Sequence, residues 1–223
     1  MIDHDFKSIA SETIFIPPPK HIEYMSLGFN EVIADMLWVR WVQNVSSCGK
    51  KLVSRSEIKK ERNPTSGNKE VELAYTENHR ELVCNQGWAF RMLDEVTDLS
   101  PKFRVPYTAG ATTLSVLSED HIGAQRIYEK ALKNFPNDWH ILYRASYHYL
   151  FELNDFAVGS DLLKKAADAG GPDWLYSYSA KMAKKAGKIE FGIRVLTDYL
   201  KSIHNKEHRA EVIARIDRLK ESL

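Results

Sequence analysis

The sequence predicts an all-α fold in which helical hairpins repeat along the chain. The first observation is a stripe of a small, a large and a second small residue at Ala124, Tyr128 and Ala131. Residues three and four positions apart share one face of a helix, so a neighbouring helix can come close at both ends of the stripe. The second observation is that the stripe recurs in steps of 35, 35 and 33 residues, at Ala89, Ala124, Gly159 and Gly192. A period of about 34 residues is typical of arrays with two helices per unit.

Turn-forming residues separate these units. The first three copies of the stripe are each followed by a proline, at Pro101, Pro136 and Pro172. Proline cannot donate to the helical hydrogen-bond ladder and clashes with the preceding turn, so it ends a helix. We expect Asp138 to open the third unit, Asp155 to cap its second helix, and Gly187 to lie at the turn inside the fourth unit.

A candidate first helix precedes each copy of the stripe. Its pattern is a large residue, then an apolar residue three positions later, a small residue directly after it, and an aromatic residue three positions further on. Leu142, Ala145, Ser146 and Tyr149 match it in the third unit. Tyr176, Ser179, Ala180 and Ala183 match it in part in the fourth, and Pro106, Ala109, Gly110 and Thr113 match it loosely in the second. Motif and period together resemble the tetratricopeptide repeat family from about Asn30 to His204. The resemblance implies a right-handed superhelical array of about four helical hairpins. An amphipathic helix within 207–223 is expected to cap its last apolar edge.

The predicted division of the chain follows these boundaries. Residues 1–29 form a proline-rich arm and lead-in, 30–101 the first repeat with a basic insertion at 49–70, 102–136 the second repeat, 137–171 the third, 172–204 the fourth, and 205–223 the capping helix. The insertion has seven basic and three acidic residues but no aromatic residue. Because nothing in it could stack on a base, a solvated loop is favoured over a nucleic-acid site.

The lead-in itself resembles that of a bacterial group of such repeat proteins. It reads PPPKHIEYMSLGFNEVIADMLWVRWVQ, with a proline-rich entry and an ADxLW-type first helix that begins near Asn30. In that group, the segment usually follows an N-terminal membrane anchor. The sequence as it stands predicts a cytoplasmic protein, whereas an anchor preceding Met1 would place it in the cell envelope.

Composition and motifs exclude several function classes. A formal net charge of +1 gives no general attraction to nucleic acid or to an anionic membrane. Phosphate-binding, nucleophile-elbow and HExxH motifs are absent, so we expect a non-enzyme with no catalytic residue, cofactor or metal. His204 and His208 have a spacing that metal ligands use, but they flank a turn and have no apparent third ligand. Cys48 and Cys84 are too few for a disulfide framework, and both free thiols and a single bridge stay open.

The resemblance also implies a concave groove lined by the first helices. The residues that would face it are Trp38, Val42, Tyr107, Ala111, Tyr143, Tyr147, Ser177, Lys181 and Lys184. Aromatic side chains offer large contact area at low conformational cost, which favours a peptide ligand. Core packing of the tyrosines and a solvated lysine face are the alternatives. The family's carboxylate-binding groove also needs asparagines, which are missing from these rows.

The arm is a candidate ligand for this groove. Ile14, Phe15, Ile16, Pro17 and Pro18 belong to an apolar, proline-rich run that should be extended. Packing of this tail on the first helices is the alternative. The sequence therefore predicts an interaction scaffold that binds a protein or peptide partner, or that forms oligomers through its own arm. An envelope assembly chaperone or adaptor is the second candidate, and a small-molecule-binding or catalytic groove is the third.

Overall fold

The computed structural model describes residue 22 and residues 26–45 and 88–222, and these ranges contain helices and no β-strand. The α-helices are α1 (Asn30–Val45), α2 (Trp88–Leu99), α3 (Ala111–Val116), α4 (His121–Asn134), α5 (Trp139–Phe151), α6 (Phe156–Asp168), α7 (Trp174–Lys185), α8 (Ile189–Leu200) and α9 (Lys206–Lys220), and a π-helical segment, Pro106–Gly110, leads into α3. Consecutive helices pack as pairs. The predicted all-α class is confirmed.

The chain divides into two compact units. Unit 1 comprises the residues up to Pro106 together with Val116–Asp120, and unit 2 comprises Tyr107–Ser115 and His121–Leu223. The predicted insertion at 49–70, the arm residues Ile14 to Pro18, and both cysteines lie outside the described residues. Among the helices that are described, none combines the length and the apolar character needed to cross a membrane.

In unit 1, α1 packs on α2. Ala34, Leu37, Trp41 and Val45 are the buried residues of α1. The Trp41 indole N–H donates to the carbonyl oxygen of Ala89 over 2.8 Å. A large side chain of α1 therefore reaches the backbone of α2 where a small residue lets it approach.

The first hairpin of unit 2 joins the π-helical segment and α3 to α4. The Thr112 and Tyr128 hydroxyls lie 3.0 Å apart, and the Asn134 amide donates to the Tyr107 hydroxyl over 3.0 Å. Thr112 follows Tyr107 in the first helical segment, but its partner Tyr128 precedes Asn134 in α4. The two segments are therefore antiparallel. Ala124 lies in this core and is fully buried.

The next two hairpins, α5–α6 and α7–α8, close at equivalent points. A Cβ added to Gly159 would lie 2.5 Å from the Leu150 side chain and 3.4 Å from the carbonyl oxygen of Ser146. A Cβ added to Gly192 would lie 3.1 Å from the carbonyl oxygen of Ala180. Ser146 and Ala180 are 34 positions apart, and the two glycines are 33 apart. In both hairpins the glycine of the predicted stripe lies where the second helix comes close to the first.

Turns and caps follow the same period. Glu119, Asn154 and Gly187 have φ values of 53°, 53° and 71°, and each precedes the small residue of its stripe by five positions. A left-handed residue is a common way to end a helix. The predicted caps are confirmed as well, because the Asp138 and Asp155 carboxylates each accept two backbone N–H groups at the start of α5 and α6.

The C-terminal helix packs on the last hairpin. Val212, Ile216 and Leu219 of α9 are buried in one cluster with Leu196 and Tyr199 of α8. The Asn205 side chain caps α9 by accepting two backbone N–H groups. The predicted capping helix therefore covers the apolar edge of α8.

Candidate peptide-binding surface

Five aromatic side chains gather on α5 and α7 of unit 2, and we call them the aromatic patch: Tyr143, Tyr147, Phe151, Trp174 and Tyr178. The Tyr143 and Trp174 rings lie 5.7 Å apart between centroids and stand at 90° to each other. Trp174 and Tyr178 are 6.1 Å apart, and Tyr147 and Phe151 are 4.5 Å apart. The perpendicular pair forms an aromatic corner between the two helices.

The patch residues recur every four positions on one side of each helix, where three of them are exposed while Tyr143 and Tyr178 are half-buried. In α5 this stripe is distinct from the one carrying Ser146 and Leu150, which faces α6. Trp174, Tyr147 and Phe151 keep 51%, 49% and 50% of their surface accessible. Large aromatic side chains are seldom left this exposed together, so the patch is a candidate interaction surface.

The hydroxyl groups of the patch are close enough to influence one another. Burial raises the pKa of Tyr178 first, and the neighbouring Tyr143 and Tyr147 raise it further. Tyr178 therefore keeps its proton at neutral pH, where it can donate a hydrogen bond. The patch presents apolar rings together with phenol and indole donors, and such amphipathic rings suit peptide contacts.

The predicted groove residues of α7 lie beside the patch. Ser177 is half-buried, and its hydroxyl accepts a hydrogen bond from the Arg215 guanidinium over 2.5 Å. Lys181 and Lys184 are exposed on the last turns of α7. The structure thus places Tyr143, Tyr147 and these three residues on two consecutive first helices, with positive charge toward the C-terminal end of α7.

Tyr107 and Ala111 have no accessible surface and lie in the core of the first hairpin of unit 2. The Tyr107 ring meets Phe135 edge-on at 5.7 Å. For Tyr107, the alternative of plain core packing is therefore the arrangement that the structure shows. Ala111 is equally inaccessible.

The remaining two groove residues, Trp38 and Val42, belong to unit 1. Trp38 is half-buried and stacks on Trp41 at 5.2 Å, with Phe103 edge-on at 6.1 Å. Val42 is exposed. Trp38 is thus engaged by aromatic neighbours within its own unit.

Sequence reasoning missed Phe151, Trp174 and Tyr178. A signal for them was present, since Phe151 follows Tyr147 by four positions and Trp174 precedes Ser177 by three. Extending each predicted row by one helical turn would have found Phe151 and Trp174, and Tyr178 follows Trp174 by four positions.

Unit 2 also holds a buried hydroxyl–imidazole pair. The Ser115 hydroxyl and His148 Nδ1 lie 3.0 Å apart, and His121 lies 3.6 Å from the Glu152 carboxylate. His148 is 2% exposed, its Nε2 atom has no hydrogen-bond partner, and burial lowers its pKa. A nucleophile and base need access to a substrate. Ser115 and His148 are closed off from solvent, so we assign this pair to the core.

The two histidines considered as metal ligands, His204 and His208, have different surroundings. His208 Nε2 lies 2.9 Å from the Tyr199 hydroxyl, and His204 is exposed in the turn before α9. Within residues 26–45 and 88–222, no group of three or more His, Cys, Asp or Glu side chains could hold a metal ion. His208 instead ties α9 to α8.

One open cleft of about 650 Å³ lies among α4, α5 and α6. Its apolar lining comes from Leu132, Leu142 and Leu162, and its charged lining from Lys165 and Asp168. Lys165 pairs with Asp161 and Asp168 with Lys164, all on α6. The Asp168 carboxylate also accepts a hydrogen bond from the Tyr176 hydroxyl over 3.2 Å. Small-molecule sites need polar groups that converge on the ligand, and these charges are already paired with neighbouring side chains.

Of the surfaces described above, the aromatic patch is the best candidate for binding a partner, because it combines exposed aromatic rings with hydrogen-bond donors. No model of a known protein family matches the chain, and no curated protein matches it either.

Proposed function

We propose that this protein is a non-enzymatic interaction scaffold whose aromatic patch binds a peptide segment of a partner protein. The proposal includes the tetratricopeptide-like, right-handed superhelical array that the sequence resembles. The observation that carries it is the half-exposed state of Tyr147 and Phe151 on α5 and of Trp174 on α7. Exposed apolar groups of this kind mark interaction sites, and tryptophan and tyrosine dominate binding energy where they occur.

A rigid support favours binding at this surface. Gly159 lets α6 approach α5 closely, and Gly192 lets α8 approach α7. The Ser179 hydroxyl donates to the carbonyl oxygen of Ser160 over 2.7 Å, which links α7 to α6. Rings held on fixed helices lose little freedom on binding, so less of the contact energy is spent on ordering.

The experiment is affinity capture followed by measured binding of the captured proteins. A Tyr147→Ala/Trp174→Ala variant removes two patch rings, and Ile213→Ala removes an exposed apolar side chain on α9 as the control. We expect the double variant to lose partners that the control retains, with affinity reduced at least about tenfold, since each such ring contributes more than 1 kcal/mol where it is a hot spot. Equal binding by both variants would contradict the proposal.

Two alternatives have different signatures. An envelope assembly chaperone or adaptor would use the same surface but would bind unfolded clients and release folded ones. A small-molecule-binding or catalytic role would use the cleft at Leu132, Leu142 and Leu162 instead. A thermal shift with small molecules that is lost in Leu162→Ala and kept in Tyr147→Ala/Trp174→Ala would favour the cleft.

A further inference from the structure

We infer that α1 is a self-association surface, on which a second copy of this chain packs its own α1 in parallel. The surface is the face of α1 that carries Phe29, Val32, Met36 and Val39, and we call it the α1 stripe. It belongs to unit 1, whereas the residues of the aromatic patch belong to unit 2. The inference therefore goes beyond the proposed function and does not depend on it.

The α1 stripe is apolar but exposed. Phe29, Val32, Met36 and Val39 keep 63%, 55%, 68% and 53% of their surface accessible. Phe29 immediately precedes the helix, and its carbonyl oxygen accepts the Ile33 N–H over 3.0 Å, which holds its backbone at the first turn. Large apolar side chains that are exposed in one row mark an interaction site.

The other side of α1 is already used within unit 1. Ala34, Leu37, Trp41 and Val45 are buried there, and the Trp41 indole donates to the Ala89 carbonyl of α2. At about 100° per residue, the α1 stripe lies on the opposite side of the helix. A helix that is apolar all round is normally buried, so α1 calls for a second neighbour on its exposed side.

The spacing of the α1 stripe indicates that this neighbour is another helix. Its members are separated by three, four and three positions, and Gln43 continues the row after four more. This alternation is the repeat by which two helices pack side by side in a coiled coil. In a parallel pair of identical helices each residue of the row meets the same residue of the second copy, so the α1 stripe is complementary to itself. The single polar residue, Gln43, favours this aligned register because the two amides can then bond each other.

The charges beside the α1 stripe favour a second copy in the parallel orientation. Asp35 and Arg40 are exposed on opposite borders of the stripe, five positions apart. In a parallel pair, border residues with this separation are neighbours across the two helices, so Asp35 of each copy would meet Arg40 of the other. An antiparallel pair would instead bring the two Asp35 carboxylates together. A guanidinium has five N–H donors, so Arg40 can bind this carboxylate together with its other contacts.

The pairing should be weak and reversible. A stable protein–protein interface has about 20–30 residues on each side, and the α1 stripe with its two borders has fewer. We therefore expect a concentration-dependent equilibrium between monomer and dimer. Sedimentation equilibrium of the full chain from roughly 5 µM to 500 µM measures its dissociation constant.

The first variant tests the α1 stripe itself. Met36→Glu sets two like charges opposite each other in the middle of the row, so it should raise the dissociation constant of the dimer at least about tenfold. Ile122→Glu is the matched control, because Ile122 is 60% exposed on α4 and lies outside the stripe. The control should leave the dissociation constant unchanged, and circular dichroism should show equal helix content in both variants and the wild type.

A charge exchange tests the orientation. Asp35→Arg should weaken the dimer because it sets like charges opposite each other, and Asp35→Arg/Arg40→Asp should restore the wild-type dissociation constant because opposite charges face each other again. In an antiparallel pair the double change would leave like charges opposed at position 35 and would restore nothing. A double variant that stays as weak as Asp35→Arg would therefore overturn the parallel pairing. A wild type that stays monomeric over the whole range, or a dimer that Met36→Glu leaves intact, would overturn the inference as a whole.

Discussion

Gly159 on α6 lies directly against Leu150 on α5, so that a single added methyl group would come within 2.5 Å of the leucine side chain. Gly192 of the next hairpin lies against the Ala180 backbone, where an added methyl group would be 3.1 Å from the carbonyl oxygen. The contact at Gly159 leaves no room for a side chain unless Leu150 moves, and the contact at Gly192 would need only a small shift. The position of the patch rings on α5 and α7 depends on these contacts.

We expect Gly159→Ala to destabilise the protein. Forcing a methyl group into this contact lowers the free energy of unfolding by about 1–3 kcal/mol. The higher helix propensity of alanine offsets only about 1 kcal/mol of that loss. Leu150→Ala alone should cost about 2–5 kcal/mol because it leaves a cavity. Urea unfolding of the two single variants and the double variant measures their coupling. The double variant should be less destabilised than the two single changes added together, and simple additivity would contradict the contact.

The turn between α3 and α4 provides a second prediction. Glu119 has a φ of 53°, a conformation that costs a residue with a side chain about 1–2 kcal/mol. Glu119→Gly should therefore be more stable than Glu119→Ala by roughly 1 kcal/mol. Comparing glycine with alanine removes the contribution of the glutamate side chain from the difference. Thermal unfolding of both variants measures it, and a more stable alanine variant would contradict the turn geometry.

The cap of α6 gives a third prediction. The Asp155 carboxylate accepts the Ala157 and Val158 N–H groups over 3.1 Å and 3.0 Å. Asp155→Ala should cost about 1 kcal/mol, the usual value of an N-cap. Asp161, on the same helix, only pairs with exposed Lys165, so Asp161→Ala should cost no more than about 0.5 kcal/mol. Equal losses for the two variants in denaturant unfolding would show that the cap does not stabilise α6.

His148 makes stability depend on pH. Burial lowers its pKa in the folded protein, and His121, Tyr128 and Glu152 surround it. In the unfolded chain His148 has the ordinary histidine pKa of about 6.5, and in the folded protein its pKa is lower. Below about pH 6.5, unfolding is therefore accompanied by the uptake of a proton at His148. The contribution of His148 to stability is therefore fully present above its pKa in the unfolded chain, and it is lost as the pH drops toward its lower pKa in the folded protein.

The measurement is the unfolding midpoint from pH 8 to pH 5 for the wild type and for His148→Gln. We expect the midpoint of the wild type to fall more steeply below pH 6.5 than that of the variant. His140→Gln, at an exposed histidine of the same helix, is the control for replacing a histidine by glutamine. Parallel curves for the wild type and His148→Gln would contradict the assigned role of burial.

Parts of this arrangement could be predicted from the sequence because they depend on local rules. The small residues at Gly159 and Gly192 and the caps at Asp138 and Asp155 are fixed by spacing and by capping chemistry. Tyr107 illustrates what the spacing could not provide. It lies in the π-helical segment Pro106–Gly110, and a π turn uses more residues than an α turn, so positions counted on an α-helical period rotate away from their expected face.

The aromatic patch itself depends on tertiary contacts that the period does not encode. Trp174 meets Tyr143 although the two are 31 positions apart, because α5 and α7 belong to neighbouring hairpins. The repeat predicted that first helices neighbour one another. It did not predict which rings would meet across them, since that depends on side-chain direction at each crossing.

The central claim is that recognition occurs at the patch, and the indole N–H signals in nuclear magnetic resonance test it most directly. Peptides selected by the intact protein from a random library would be titrated into protein labelled with ¹⁵N at tryptophan. We expect the Trp174 signal to shift and the signal of Trp88, which is buried on α2, to stay in place. Selected peptides that leave the Trp174 signal unchanged while shifting another indole would contradict the claim.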